Sequence, residues 1–327
     1  MLISQFRKYT PINFIVLALV GLCLCLGVYL HLPTKLTAIL FEPALSNLIG
    51  VDKFSTLTPE VNVMVTLFLT LLQAFILNRV MNHFNILGKP NFLTALMYMT
   101  LASLFLPFLV LSPTLICNFI SIWMISKLLN IYRQVDIKGL MFELGMIVAI
   151  GSLIYFPFII MGLLLWVSLI IFRPFNWREW FTPLLGFSTI YFLLAVVYFW
   201  LGRMEEFYLI WVPLTYKFST SLKMEVNDYF VVIPIIFTLL LFLVILKDNF
   251  FRSIVHVRKS FQLLFFMLIL SFVSFYWKRD LSVNHFLMCA TPITVYLAYY
   301  FTHSKKKWLF ESVYAVIILT ILYFQFF

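Results

Sequence analysis

The chain is a series of long apolar runs separated by short polar stretches. The runs are continuous over helix length, whereas transmembrane strands show alternating segments of about ten residues. Because a helix needs about 20 apolar residues to cross a bilayer, the pattern predicts about eleven spans. They cover residues 12–31, 59–79, 91–110, 112–130, 139–155, 157–172, 180–200, 228–247, 259–277, 283–302 and 307–326. The sequence thus predicts an all-α, polytopic transmembrane helical bundle in which residues 1–327 form a single integral membrane domain.

A polar segment near the midpoint, residues 171–180 (IFRPFNWREW), separates two of these runs. Arg173 and Arg178 are costly inside hydrocarbon, so we expect this segment at a membrane surface. Its two tryptophans favour the headgroup level. Asn176, three residues before Glu179, predicts an N-cap with a capping-box partner for the next helix. Basic residues in a short turn between spans are typical of a cytoplasmic loop.

Composition and charge support a membrane protein and set its predicted orientation. The chain is 63% hydrophobic and 11% charged, with a mean hydropathy of +1.03, against about 25% charged residues in an average soluble domain. The net charge of +10 does not indicate nucleic-acid binding, because the basic residues gather in short loops. With the N-terminus cytoplasmic, the cytoplasmic loops hold sixteen of the 23 Lys and Arg residues. The positive-inside rule therefore predicts a cytoplasmic N-terminus and a periplasmic C-terminus. The first apolar run lacks a small-residue cleavage site before the polar loop, so we expect it to be a retained first span.

Only two connections are long, and both fall on the predicted outer face. The first outer loop covers residues 32–58, where Pro43 is expected to separate two short amphipathic surface helices. The second covers residues 201–228 and sets aromatic residues among charges. Both loops could simply anchor the protein at the interface. Alternatively, they could cover a site for a lipid-linked substrate that enters from the bilayer.

Polar residues inside the spans are the other candidates for function. For amides such as Asn62, Gln73 and Asn118 we expect interhelical hydrogen bonds. Glu143 is expected to form an ion pair with Lys138 at the cytoplasmic end. We expect His285 to lie at the membrane interface. The four cysteines all lie in apolar spans, without metal-ligand spacing or a disulfide framework, and the sequence predicts no cofactor or metal.

Two stretches resemble an uncharacterised family of Bacteroidota multi-spanning inner-membrane proteins. They are residues 72–79 (LQAFILNR) with 82–85 (NHFN), and residues 173–180 (RPFNWREW). The resemblance extends over most of the chain and implies a bacterial inner-membrane location. It implies no activity.

The arrangement of spans and loops also resembles the polyprenyl-phosphate-dependent multi-spanning glycosyltransferases, which have the glycosyltransferase-C scaffold. Members of that superfamily have a cytoplasmic N-terminus, a large outer loop with surface helices after span one, and another long outer loop after span seven. Residues 143–157 are similar to their mid-chain helix pair, and residues 284–292 to their late loop and helix. Those enzymes carry a catalytic acid, often beside a second acid, early in the first outer loop. Here that region has Glu42, Asp52 and Glu60 and no adjacent acidic pair.

We therefore expect an inner-membrane protein with a glycosyltransferase-like scaffold that handles a lipid-linked sugar at the outer face. Glu42 is the first candidate for a general base and Asp52 the second. Arg203 and Lys217 are candidates for binding the lipid phosphate. The expected partners are membrane lipids and a polyprenyl-phosphate sugar. The alternative is a non-catalytic subunit of an inner-membrane envelope complex, whose outer loops bind other inner-membrane proteins.

Overall fold

The structure is a computed structural model that describes residues 2–30, 58–215, 233, 235–243, 254–277 and 283–326. The first outer loop, with the surface helices expected around Pro43, lies outside the described residues except for its last residue. So do residues 216–228 of the second outer loop and half of the predicted span 228–247.

The described residues are almost entirely helical and contain no strand. The α-helices are α1 (Leu2–Phe6), α2 (Ile12–Leu30), α3 (Pro59–His83), α4 (Leu93–Ala102), α5 (Pro113–Asn130), α6 (Lys138–Ile154), α7 (Met161–Phe172), α8 (Trp177–Trp200), α9 (Met204–Leu209), α10 (Val255–Val273), α11 (Leu287–His303) and α12 (Lys307–Phe326). Residues 235–243 are helical as well. The prediction of an all-α protein is therefore confirmed for the described part of the chain.

Four described helices are long and apolar enough to cross a membrane. They are Ile12–Leu30, Pro59–His83, Trp177–Trp200 and Val255–Tyr276. Shorter apolar helices occupy Leu93–Ala102 and Phe156–Phe172. These helices support an integral membrane protein, whereas the number of about eleven spans stays a prediction.

Several helices begin where local sequence predicts a start. Pro59 and Pro113 are the first residues of α3 and α5, where a missing N–H is tolerated because it has no intrahelical partner. Ser112 caps α5 by accepting a backbone N–H. Asn176 accepts a hydrogen bond from the Arg178 backbone N–H at 3.3 Å, which confirms the predicted N-cap of α8.

Other predicted spans are interrupted near one end. The helix expected over residues 91–110 ends at Ala102, and a 3₁₀ segment follows at Leu106–Leu109. Pro107 within that segment has no N–H to donate, which prevents a regular α-helix there. Further 3₁₀ segments lie at Phe156–Ile160, Ser274–Trp277 and Val283–Phe286.

The centre of the bundle is formed by α4 and α11, which pack against each other. All ten residues of α4 are buried, and so are nearly all residues of α11. These two helices therefore contact protein on every side, while longer helices such as α3 and α8 keep exposed apolar faces.

One end of the bundle, here called the basic end, is where many connecting segments meet. These are residues 7–11, 84–92, 131–137, 173–176, 254–258 and 303–306. Arg7 joins two of them by donating from Nε to the Phe301 carbonyl at 2.8 Å and from Nη2 to the Ser304 carbonyl at 2.7 Å. Burial lowers the pKa of Arg7, and the Glu311 carboxylate partly offsets this effect. Arg7 thereby caps the C-terminus of α11, where a cation is favourable.

Further contacts connect the rest of the basic end. The Phe92 backbone N–H donates to the Phe6 carbonyl at 2.9 Å. Arg173 donates to the backbone carbonyls of Gln134 and Val135. Every described Lys and Arg except Arg203 lies in these segments or within about two helical turns of them.

The expected ion pair between Glu143 and Lys138 is wrong. Glu143 instead pairs with Lys127 of α5, with Nζ and Oε2 2.6 Å apart. Lys138 lies 3.9 Å from the Asp136 carboxylate. The physical reason is helical periodicity, because residues five apart on α6 do not share a face, whereas residues three or four apart do.

Candidate functional site

The end of the bundle away from the basic end, here called the opposite end, gathers four of the six described 3₁₀ segments, whereas Ile131–Arg133 lies at the basic end. The segment Leu106–Leu109 contacts Val283–Phe286, and Phe156–Ile160 contacts Ser274–Trp277. Residues 201–203 directly follow the end of α8 and also lie at the opposite end. Both long connections of the chain adjoin it in sequence, since one leads into α3 and the other, which contains α9, follows α8.

Of the four predicted site residues, only Arg203 lies within the described part of the chain. Glu42, Asp52 and Lys217 fall outside it. Arg203 precedes the short helix α9, and its side chain is 53% exposed. Its Nε lies 3.7 Å from Glu206 Oε1. Arg203 is thus a fixed but accessible cation at the opposite end, as binding a phosphate would require.

The described structure also brings together three polar residues that nothing in the sequence predicts to lie close to each other: Tyr155, Ser274 and His285. They come from three different segments, at the end of α6, the end of α10 and the start of α11. The His285 and Ser274 residues are fully buried and Tyr155 is 2% exposed. We call these three residues the histidine cluster.

Hydrogen-bond geometry defines the tautomer of His285. Its Nδ1 lies 2.6 Å from Tyr155 Oη, and its Nε2 lies 2.8 Å from Ser274 Oγ and 3.3 Å from the Ser271 carbonyl oxygen. Ser274 already donates its hydroxyl proton to the Ser271 carbonyl at 2.7 Å. A neutral imidazole carries one N–H, so Nε2 donates to Ser274 while Nδ1 accepts the Tyr155 proton.

The cluster is covered by an aromatic ring and joins three elements. The Phe275 ring centroid lies 4.0 Å from that of His285. A hydrogen-bonded pair of phenol and imidazole can transfer a proton, which is the usual catalytic role of histidine. Because the cluster is closed to solvent, its direct effect in this structure is to hold the ends of α6, α10 and α11 together.

A buried amide network runs into the same helices. Gln73 donates to the Leu115 carbonyl at 2.6 Å, and Tyr98 Oη donates to Gln73 Oε1 at 2.7 Å. Asn118 donates to Tyr98 Oη at 3.1 Å and to the Leu287 carbonyl at 3.0 Å. The expectation that span amides form interhelical hydrogen bonds is thus confirmed for Gln73 and Asn118. The Leu287 carbonyl lies two residues beyond His285, so the network ends next to the histidine cluster.

His285 is fully buried inside the protein, whereas its expected position at the membrane interface stays a prediction. Its place at the start of an apolar run gave no indication of its partners, because Tyr155 and Ser274 lie 130 and 11 residues away. Tyr155 directly precedes the Phe156–Pro157 pair that ends α6. A polar residue beside such a break is the only local signal that could have indicated the cluster.

Among the residues that the structure describes, no group of three or more His, Cys, Asp and Glu side chains could hold a metal ion. Comparisons of the chain with protein-family models, with curated proteins and with solved structures found no match in any of the three.

Proposed function

We propose that this chain is a bacterial inner-membrane protein that handles a lipid-linked sugar at the opposite end of its helical bundle. In this proposal the scaffold is of the glycosyltransferase-C type and the opposite end faces the periplasm. The observation that carries it is the contrast between the two ends. One end holds all described Lys and Arg residues except Arg203, while the other gathers four of the six described 3₁₀ segments, the histidine cluster and the entry to both long loops.

The charge distribution supports a cytoplasmic basic end. Short loops rich in Lys and Arg stay on the cytoplasmic side of a bacterial membrane. The contacts of Arg7 with α11 and of Arg173 with residues 134 and 135 bring these loops to one end. A lipid-linked sugar would then meet the protein at the periplasmic end, where the long connections adjoin the bundle.

In the proposed reaction, Glu42 acts as the general base that activates the acceptor, and Asp52 is the second candidate. Arg203 and Lys217 bind the phosphate of the polyprenyl-phosphate sugar. The exposure of Arg203 supports its part, because a cation that binds a substrate phosphate has to be reachable.

The test measures sugar transfer in membranes that contain the full chain, supplied with a radiolabelled polyprenyl-phosphate sugar. Loss of a general base typically lowers a rate about 10²–10⁴-fold, so Glu42→Gln should abolish transfer at unchanged protein levels. Glu60→Gln, a carboxylate at the start of α3 with no assigned role, is the matched control and should retain transfer. Full transfer by Glu42→Gln would refute the catalytic assignment.

The alternative function is a non-catalytic subunit of an envelope complex. The observation that favours it is an apolar groove of about 500 Å³ between α2 and α3, lined by residues that include Leu22, Met64 and Phe68. Affinity purification from cross-linked cells tests this alternative. A stoichiometric protein partner, together with no transfer by the wild type, would replace the enzyme proposal.

A further inference from the structure

A second groove, of about 510 Å³, lies at the basic end, and we call it the cationic groove. It is lined by Tyr9, Arg79, Val80, Asn82, His83, Phe84, Pro90 and Ser126. These residues come from the segment before α2, from α3 and the turn after it, and from α5. The lining contains an arginine and a histidine but no carboxylate.

The Arg79 and His83 side chains are available for a ligand. Arg79 and His83 lie four residues apart near the end of α3, on the same face, and both are exposed. In the described structure neither has a carboxylate within ion-pair distance. An anion can therefore bind here without first displacing an internal partner.

The groove is held in shape by contacts on its other side. The Tyr9 ring stacks on Phe92 with centroids 5.0 Å apart. Asn82 donates from Nδ2 to the Asn91 carbonyl at 2.9 Å. These contacts fix the walls of the groove and leave the Tyr9 and Ser126 hydroxyls as further hydrogen-bonding groups in the lining.

The exposed face of α3 continues from Arg79 as a purely apolar stripe. Going away from the basic end, its exposed members are Ile76, Leu72, Phe68, Met64 and Val61, spaced by three or four residues and therefore on one face. At a rise of 1.5 Å per residue, Phe68 lies about 16 Å along the helix from Arg79. This distance is close to half of the roughly 30 Å hydrocarbon core. Half of the core is one leaflet, which is the depth that one acyl chain covers. Met64 and Phe68 also line the apolar groove between α2 and α3.

We propose that the cationic groove binds the phosphate of an anionic phospholipid, with one acyl chain along the apolar stripe of α3. Arg79 contacts the phosphate and His83 supplies a second donor. An arginine without a carboxylate partner in the described part of the chain, a histidine donor beside it and a leaflet-deep apolar stripe lie on one helix face, and this combination selects a lipid over a soluble anion. This site lies at the other end of the bundle from the proposed sugar-handling site and does not depend on it.

Native mass spectrometry of the full chain in neutral detergent tests the proposal, because no charged bilayer surface is present. Phosphatidylglycerol and phosphatidylcholine of identical acyl chains are the probes. We expect the wild type to prefer phosphatidylglycerol. Arg79→Gln should weaken phosphatidylglycerol binding about tenfold, which corresponds to the loss of one charge-assisted contact. It should weaken phosphatidylcholine binding less, because the choline cation offsets the charge of that phosphate.

The matched control is Lys306→Gln, which removes one exposed positive charge from the same end but outside the groove. It should change phosphatidylglycerol binding less than twofold. An equal loss in both variants would refute a specific site in favour of general charge attraction, and equal binding of the two lipids by the wild type would also refute it. Displacement of phosphatidylglycerol by millimolar inorganic phosphate would identify a free-anion site and overturn the lipid assignment.

Discussion

Two glycines in the contact between α6 and α8 provide a quantitative test of how this bundle packs. A Cβ built on Gly145 would overlap the Pro183 carbonyl oxygen and lie 2.9 Å from its carbon and 3.0 Å from the Phe187 nitrogen. A Cβ on Gly186 would likewise overlap the Phe142 carbonyl oxygen and lie 3.2 Å from the Met146 nitrogen. Each glycine therefore faces the backbone of the other helix, as is common where helices in membranes approach closely.

The size of the effect follows from what the new methyl group would meet. Backbone atoms cannot rotate away as a side chain can, so Gly145→Ala requires the two helices to separate. Overpacking of this kind costs about 1–3 kcal/mol. The change also removes a helical glycine, which contributes about 0.5–1 kcal/mol in the other direction. We therefore expect a net destabilisation of about 1–2 kcal/mol for Gly145→Ala and a similar value for Gly186→Ala.

The assay is reversible unfolding of the purified protein by SDS in mixed micelles, followed by tryptophan fluorescence. The double variant of Gly145 and Gly186 should lose less stability than the sum of the single variants, because one separation of the helices relieves both overlaps.

Gly139→Ala is the matched control, since nothing lies within 4 Å of its Cβ position, and it should be neutral or slightly stabilising. Equal stability of Gly145→Ala and Gly139→Ala would show that α6 and α8 are not packed this closely.

Three further predictions concern the two ends of the bundle. Arg7→Met removes two charge-assisted hydrogen bonds to the end of α11 and should destabilise the protein by about 2–3 kcal/mol. Amide hydrogen exchange in α1 should become faster, and unchanged exchange there would contradict the capping role. In a double-mutant cycle on the free energy of unfolding, the effects of His285→Leu and Tyr155→Phe should be strongly non-additive, because both changes remove the 2.6 Å contact. Additive losses of stability would show that the contact is absent in solution. A cysteine in place of Lys306 should resist a membrane-impermeant thiol reagent in intact cells and one in place of Glu205 should react, whereas the reverse labelling would invert the proposed orientation.

Local sequence was sufficient to predict where most of the described helices lie along the chain. Continuous apolar runs predict helices because a membrane leaves no other partner for the backbone N–H and carbonyl groups. Helix starts at Pro59 and Pro113, and the cap at Asn176, depend only on residues within one turn. The polar amides in the spans could also be assigned to interhelical hydrogen bonds by residue type alone, although their partners could not.

The candidate site was less predictable, because its parts are distant in the sequence. Nothing near His285 indicates that Tyr155, 130 residues earlier, donates a hydrogen bond to its ring. The pairing of Glu143 with Lys127 depends on how α5 and α6 face each other. The catalytic assignments to Glu42 and Asp52 and the phosphate assignment to Lys217 stay predictions, since these residues lie outside the described part of the chain.

Which face of each helix packs inward was decided by the tertiary structure. On α3 the threonines Thr66 and Thr70 are buried, while Phe68 between them is 66% exposed. A soluble helix would bury the phenylalanine, and its apolar pattern would reveal the inward face. In lipid the surroundings are as apolar as leucine, so burial follows close packing and hydrogen bonding instead. The sequence alone therefore determined that α3 is a membrane-length helix, and only its neighbours determined which side became the core and which side stayed exposed.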